Sequence, residues 1–322
     1  MKHNYDDFKK YVSDHIKEHL PEEFADANMR FQDIHKSGGV SYEALMINLK
    51  DQVHFSAVPA LNLTSAFQEY EQGRDLDSIV SGLADIRVHA TLPGEVKAQA
   101  FLDYEYAKDK IFPRLINAKA NAEYLSDKPH VDIEDLSVMY TMRIQEDSNG
   151  VAEAIISNDL MEAWGVNAEE ISNTAMANLA QRRPFFANIE EVLFGGGVKD
   201  MPSEEFSSIE DIDPGQYDMP FFVLSNEHKT KGAVTVLDPK TMTQITNKLG
   251  EVYIIPSSVD EVLIVPQSCV DSVAHLSKMV TDVNSEAVAP QDQLSNNVYE
   301  FDLENQTITI AADPVQSEVQ SM

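Results

Sequence analysis

Phe8, Val12, Ile16 and Leu20 recur at every fourth position, which predicts an amphipathic helix that Pro21 terminates. Residues 29–34 and 40–48 read as two strands around the turn residues Ser37, Gly38 and Gly39, and residues 57–63 as a third. Ser65 with Gln68 fits a capping box and predicts a helix start near residue 64 or 65. Leu76, Ile79, Val80, Leu83 and Ile86 mark another helix, and residues 94–110 read as a further one. Leu136, Val138, Tyr140, Met142 and Ile144 alternate with Ser137, Thr141 and Arg143, as in a half-buried strand. Asn149 and Gly150 form a hairpin signal leading into residues 151–156. Asn167 with Glu170 caps a helix reaching about residue 181.

Strands are predicted over residues 220–224 and 233–237. Asp238 and Pro239 then start a helix that Gly250 ends. Two short apolar strands (252–255 and 262–265), a helix over 270–283 and a hairpin of 298–302 with 307–310 complete the pattern. Hairpins outnumber βαβ units, so the class is α+β, with mixed or antiparallel sheets and packed helices.

Two subdomains are expected. Gly195, Gly196 and Gly197 precede residues 203–218, which hold six acids, no base, a Pro and a Gly. Residues 195–218 therefore read as a linker between an N-terminal domain (1–194) and a C-terminal domain (219–311), followed by a polar tail (312–322).

Charge narrows the function classes. The 322 residues carry 54 acids against 24 Lys and Arg, a formal net charge of −30. Such a balance opposes direct nucleic-acid binding, which needs cations to neutralise phosphates. The acid excess is densest in residues 201–322, with 20 acids and 5 bases, and no base follows Lys278. An exterior of this kind serves solubility, or meets a basic protein partner as a decoy for a phosphate backbone. Cys269 is the lone cysteine, so no disulfide framework is expected. No apolar run reaches the roughly 18 residues of a membrane span, and the first residues lack an apolar signal region. A cytoplasmic protein without a membrane partner is the resulting expectation.

Motif chemistry is sparse. His15 and His19 are four residues apart on the first helix, but neither an HExxH pattern nor a third ligand accompanies them, and they read as surface histidines. The glycine triplet lacks the Lys and hydroxyl of a P-loop and reads as a hinge. No metal and no cofactor are called for. Ser257, Ser258, Asp260 and Glu261 follow a predicted strand, where a hydrolase-type site could sit. Ser258 and Glu261 also match a helix capping box, which is the structural reading of the same residues. Lys108, Lys110, Arg114, Arg182 and Arg183 are candidate donors to an anion, as in a small-molecule sensor. A solvated face of weak ion pairs is the structural alternative.

Residues 103–117 (DYEYAKDKIFPRLIN), residues 129–138 (PHVDIEDLSV) and Trp164 with Gly165 resemble a family of uncharacterised gut-Firmicute proteins known as domain of unknown function 5688. Residues 222–226 (FVLSN), Gly232 with Ala233, and residues 253–266 are similar to the same family's C-terminal signature. The resemblance spans roughly residues 1–310 and carries no catalytic signature. The family's pattern usually places His where this chain has Asp260, and Asp does not shuttle protons near neutral pH as His does. The resemblance implies an association with mobile elements. Together these readings favour a non-catalytic factor that binds another macromolecule. A hydrolase centred on residues 256–261 and a small-molecule sensor at the basic residues are the alternatives.

Overall fold

The computed structural model describes residues 3–36, 39–50, 59–89, 103–147, 150–194 and 209–311. The chain forms two compact units, residues 1–104 and 105–322.

In the first unit the apolar stripe builds helix α1 (Tyr5–His15), and Asn4 caps it by accepting a hydrogen bond from the Asp7 N–H. The helix tightens into a 3-10 turn over Ile16–His19 ahead of Pro21. Strands β1 (Asn28–Lys36) and β2 (Val40–Asn48) pair antiparallel along their full length, and β3 (Leu61–Asn62) adds a short third strand. Residues 57 and 58 of the expected third strand lie outside the described residues. Helices α2 (Leu63–Glu71) and α3 (Leu76–His89) complete the unit. The cap of α2 is Asn62, which accepts from the Ser65 N–H at 2.8 Å, so the helix starts before the expected Ser65 box. Phe8, Val12 and Ile16 pack with Leu45, Ile47, Leu61, Leu63 and Val80, all at most 1% exposed. Each such side chain contributes about 1.5–3 kcal/mol by leaving water.

A helical turn, α4 (Tyr104–Ala107), begins at the last residue of the first unit and leads into strand β4 (Ile111–Asn117) of the second. Residues 94–102 of the helix expected over 94–110 lie outside the described residues. A short helix α5 (Ala122–Leu125) precedes β5 (His130–Ile133), β6 (Leu136–Asp147) and β7 (Gly150–Ile155). These strands form an antiparallel sheet in which β6 pairs with β4 on one side and with β5 and β7 on the other. Helices α6 (Asn158–Trp164) and α7 (Ala168–Leu179) follow. Ser157 caps α6, and Asn167 caps α7 through the Glu170 N–H, as its sequence predicts.

Strand β8 (Pro184–Asn188) and helix α8 (Ile189–Phe194) precede the expected linker, of which residues 195–208 lie outside the described residues. Strand β9 (Phe222–Asn226) follows it and pairs with β8 over all five residues, so both flanks of that segment share one sheet. Helix α9 (Pro239–Leu249), strands β10 (Val252–Ile255) and β11 (Val262–Pro266), helix α10 (Val273–Ala287) and the hairpin β12 (Tyr299–Asp302) with β13 (Thr307–Ile310) complete the unit. The sheet order is β13-β12-β10-β11-β9-β8, antiparallel throughout. The architecture is α+β.

Two segments depart from the sequence reading. Gly232–Leu237 is a 3-10 helix rather than a strand. Residues 232–236 are all buried, and an apolar run buried on every side carries no periodicity that separates strand from helix. Ser258 and Glu261 cap no helix: they lie in the loop between the paired strands β10 and β11.

Asp135, at the β5–β6 turn, accepts hydrogen bonds from Ser295 Oγ (2.6 Å), Asn297 Nδ2 (3.0 Å) and the Tyr299 hydroxyl. Asn117 Nδ2 donates to the Leu294 carbonyl at 2.6 Å. These bonds tie the four-stranded sheet to the chain entering β12.

Candidate functional site

Strand alternation sorts the four-stranded sheet into two faces. Phe112 and Arg114 on β4 lie opposite Thr141 and Met139 on β6, and Arg143 lies opposite Glu153 on β7. These residues share one face, while Leu115, Val138 and Tyr140 share the other.

On the first face the chain assembles a small polar cleft lined by Arg114, Arg143, Arg182, Lys231, Glu153 and His228, among others. Phe112 is its platform. The guanidinium carbon of Arg143 lies 3.9 Å from the Phe112 ring centroid and that of Arg182 lies 4.9 Å from it, distances at which a cation is held by the ring face. Arg182 pairs with Glu227 at 2.9 Å, and His228 Nε2 lies 3.6 Å from the same carboxylate oxygen. Lys231 Nζ pairs with Glu153 at 2.7 Å. Arg182 and Lys231 are thus paired with Glu227 and Glu153, and Arg114 and Arg143 line the same recess. Arg114 Nε is buried and has no hydrogen-bond partner. Burial raises the pKa of the neighbouring Tyr124 phenol, and the Arg114 charge opposes that rise. The cavity is about 20 Å³. That is room for about one water molecule.

Backbone strain sets the cleft's third wall. Lys229 and Lys231 have φ of +53° and +52°, a region that non-glycine residues rarely occupy. The Asn226 side chain holds this loop by accepting from the His228 N–H and donating to the Thr230 carbonyl, each close to 2.9 Å (2.9 and 2.8 Å). Asp260 fixes the end of the loop, where its Oδ1 accepts the Lys231 N–H at 2.7 Å. The Asp260 carbonyl accepts from Ser225 Oγ at 2.6 Å and from the Gly232 N–H at 3.0 Å. A Cβ on Gly232 would lie 2.1 Å from Ser225 Oγ and 2.5 Å from the Asn226 nitrogen, so only glycine fits there. The three stretches of the C-terminal signature thus meet at one junction.

The candidates named from sequence scatter in an informative way. Arg114 and Arg182 converge on the cleft. Lys108 pairs locally with Glu105 at 2.5 Å, Lys110 Nζ sits 3.1 Å from the Tyr106 ring centroid, and Arg183 is exposed. Ser258 Oγ donates to Glu261 at 3.2 Å and accepts from the Asp260 N–H at 3.1 Å, while the Ser257 N–H donates to the Ile255 carbonyl. These contacts close the loop on itself, and Asp260 carries it to Lys231. Sequence reasoning missed Arg143, Lys231 and Glu153. The signal for Arg143 was its polar place in an alternating strand, but only cross-strand pairing shows that it faces Glu153. The His15 ring lies against the Tyr11 carbonyl, and His19 lies 3.3 Å from Asp77. Among the described residues, no group of three or more His, Cys, Asp or Glu side chains is placed to hold a metal ion. No described helix is long and apolar enough to cross a membrane.

Fold and cleft define an α+β protein with a basic recess in a strongly acidic chain. Residues 5–303 match the Family of unknown function (DUF5688), and the chain belongs to that family. No curated protein and no solved structure matches it.

Proposed function

We propose that this protein is a non-catalytic binding and regulatory factor, and that the cleft between Arg114 and Lys231 recognises an anionic group, a carboxylate or a phosphate, on its ligand. The observation that carries this reading is the convergence of four cations from four separate segments on one recess, with the buried Arg114 Nε left without a hydrogen-bond partner. A buried guanidinium nitrogen is costly to leave unpaired, and planar guanidinium groups suit oxyanions. The surrounding net charge of −30 discourages anions elsewhere on the chain, which makes the recess selective. Thermal unfolding with and without inorganic phosphate, at fixed ionic strength, tests the reading. Phosphate raises the midpoint of the native protein and leaves that of Arg114→Gln unmoved. A midpoint that phosphate does not change in the native protein contradicts it.

The charge distribution supports a second reading, in which the partner is a basic protein met by the acidic exterior, as a decoy for a DNA-binding protein would meet it. Eight acids and no base follow Lys278. A stoichiometric basic partner recovered at low salt and lost at high salt supports this reading, and recovery that is insensitive to salt opposes it.

A further inference from the structure

The opposite face of the same sheet holds a cavity of different chemistry. It is about 230 Å³ in volume and lies between β5 and β6, helix α7, the 3-10 segment Gly232–Leu237 and the β12–β13 hairpin. Val138, Tyr140 and Ile308 form its buried floor, each at most 4% exposed, while the exposed Val131, Gln306 and Thr307 mark its mouth. None of its lining residues is charged. The Tyr140 hydroxyl, on a side chain only 1% exposed, meets no hydrogen-bond acceptor, while the Ser172 hydroxyl beside it acts on the phenol oxygen as a donor.

We propose that this cavity is a binding site for a small neutral molecule, mainly hydrocarbon and about one substituted ring in size, whose single acceptor oxygen takes the hydrogen bond of the Tyr140 hydroxyl. Its size follows from the volume, since a cavity of about 150 Å³ holds benzene. Neutrality follows from the lining, because a charged ligand would be desolvated with no counter-charge to meet it. The acceptor follows from the unplaced phenol proton, since buried hydroxyls almost always find a partner for it. Burial raises the Tyr140 pKa, against a smaller lowering by hydrogen bonding from the Ser172 hydroxyl, so the phenol keeps its own proton and remains a donor. Ser172 and Met176 face the cavity from α7, where a polar and a polarisable group suit the two ends of such a ligand. This site is independent of the basic cleft, and either can fail without the other.

Calorimetric titration of the full chain with acetophenone, and with ethylbenzene as the match lacking the oxygen, tests the inference. Acetophenone binds saturably with one site and about tenfold more tightly than ethylbenzene, the worth of one good hydrogen bond. Tyr140→Phe, which keeps the ring and its packing, removes that preference and leaves ethylbenzene binding intact. Met176→Trp, checked for native circular dichroism, fills the cavity and weakens both probes. Absence of saturable binding by either probe, equal binding of the two by the native protein, or a preference that survives in Tyr140→Phe overturns the proposal.

Discussion

The backbone N–H of Lys231 donates to Asp260 Oδ1 at 2.7 Å, which ties the left-handed end of one loop to the hairpin loop between β10 and β11. The Lys231 ammonium reaches in the other direction to Glu153 on β7. One lysine therefore joins the two sheets of the second unit, and the Asp260 carboxylate holds its backbone where the ammonium can enter the cleft.

Replacing Asp260 with Ala removes the acceptor and leaves the strained Lys231 peptide unsupported. The expected loss is about 1.5–3 kcal/mol, typical of a hydrogen bond to a charged group. Asp260→Asn keeps an acceptor oxygen and loses less. Urea unfolding of the two variants measures the difference, and equal losses would show that the Lys231 contact is idle.

Gly232→Ala is a sharper test of the same junction. Its Cβ meets the Asn226 nitrogen at 2.5 Å and the Asp260 carbonyl at 2.9 Å, and neither backbone atom can rotate away. Overpacking of this kind costs about 1–3 kcal/mol. Adding Ser225→Ala relieves only the side-chain clash, so the double variant stays destabilised in chemical denaturation.

Glu153→Gln removes the carboxylate that pairs with Lys231 in the cleft. Lys231 then lacks its charged partner, and stability falls by about 1–3 kcal/mol. The same change leaves the cleft more positive, so phosphate affinity rises. Stability and affinity moving in opposite directions is the expected pattern, read by unfolding and by titration on one preparation.

The pH response follows from two phenols hydrogen-bonded to carboxylates, the half-buried Tyr217 and the buried Tyr299. Burial and a hydrogen bond to Glu191 push the Tyr217 pKa up to about 12, and burial with the Asp135 contact raises that of Tyr299 as well. A raised folded-state pKa means that the native chain holds protons which the unfolded chain releases. The stabilisation is complete below the ordinary tyrosine pKa near 10. It is lost as pH climbs from there through about 12 for Tyr217. Tyr217→Phe flattens the fall in denaturation midpoint over that window, and an unchanged slope contradicts the assignment.

Much of the fold was legible in residue spacing. Helices α1, α3, α7 and α9 follow apolar stripes or caps, and β6 follows strict alternation. Strand β4 was hidden because Pro113 and Arg114 interrupt its apolar pattern, and its partner β6 lies about twenty residues away. Strand β8 was hidden for a similar reason, since its pairing with β9 spans the acid-rich segment. The site was half legible. Arg114 and Arg182 stood out as cations, but Arg143 and Lys231 join them only through strand register and a left-handed loop. Composition carries neither of those relations. The serine–glutamate pair at 258 and 261 shows the converse, a local motif whose meaning changed because a strand, not a helix, follows it.

The central claim is that the Arg114–Lys231 cleft binds an anion. Calorimetric titration of inorganic phosphate at fixed ionic strength tests it most directly, in the native protein, Arg114→Gln and the exposed control Arg183→Gln. The account predicts one saturable site in the native protein and in the Arg183 variant, weakened at least tenfold by Arg114→Gln. Absence of saturable binding in the native protein, or equal binding by all three, contradicts it.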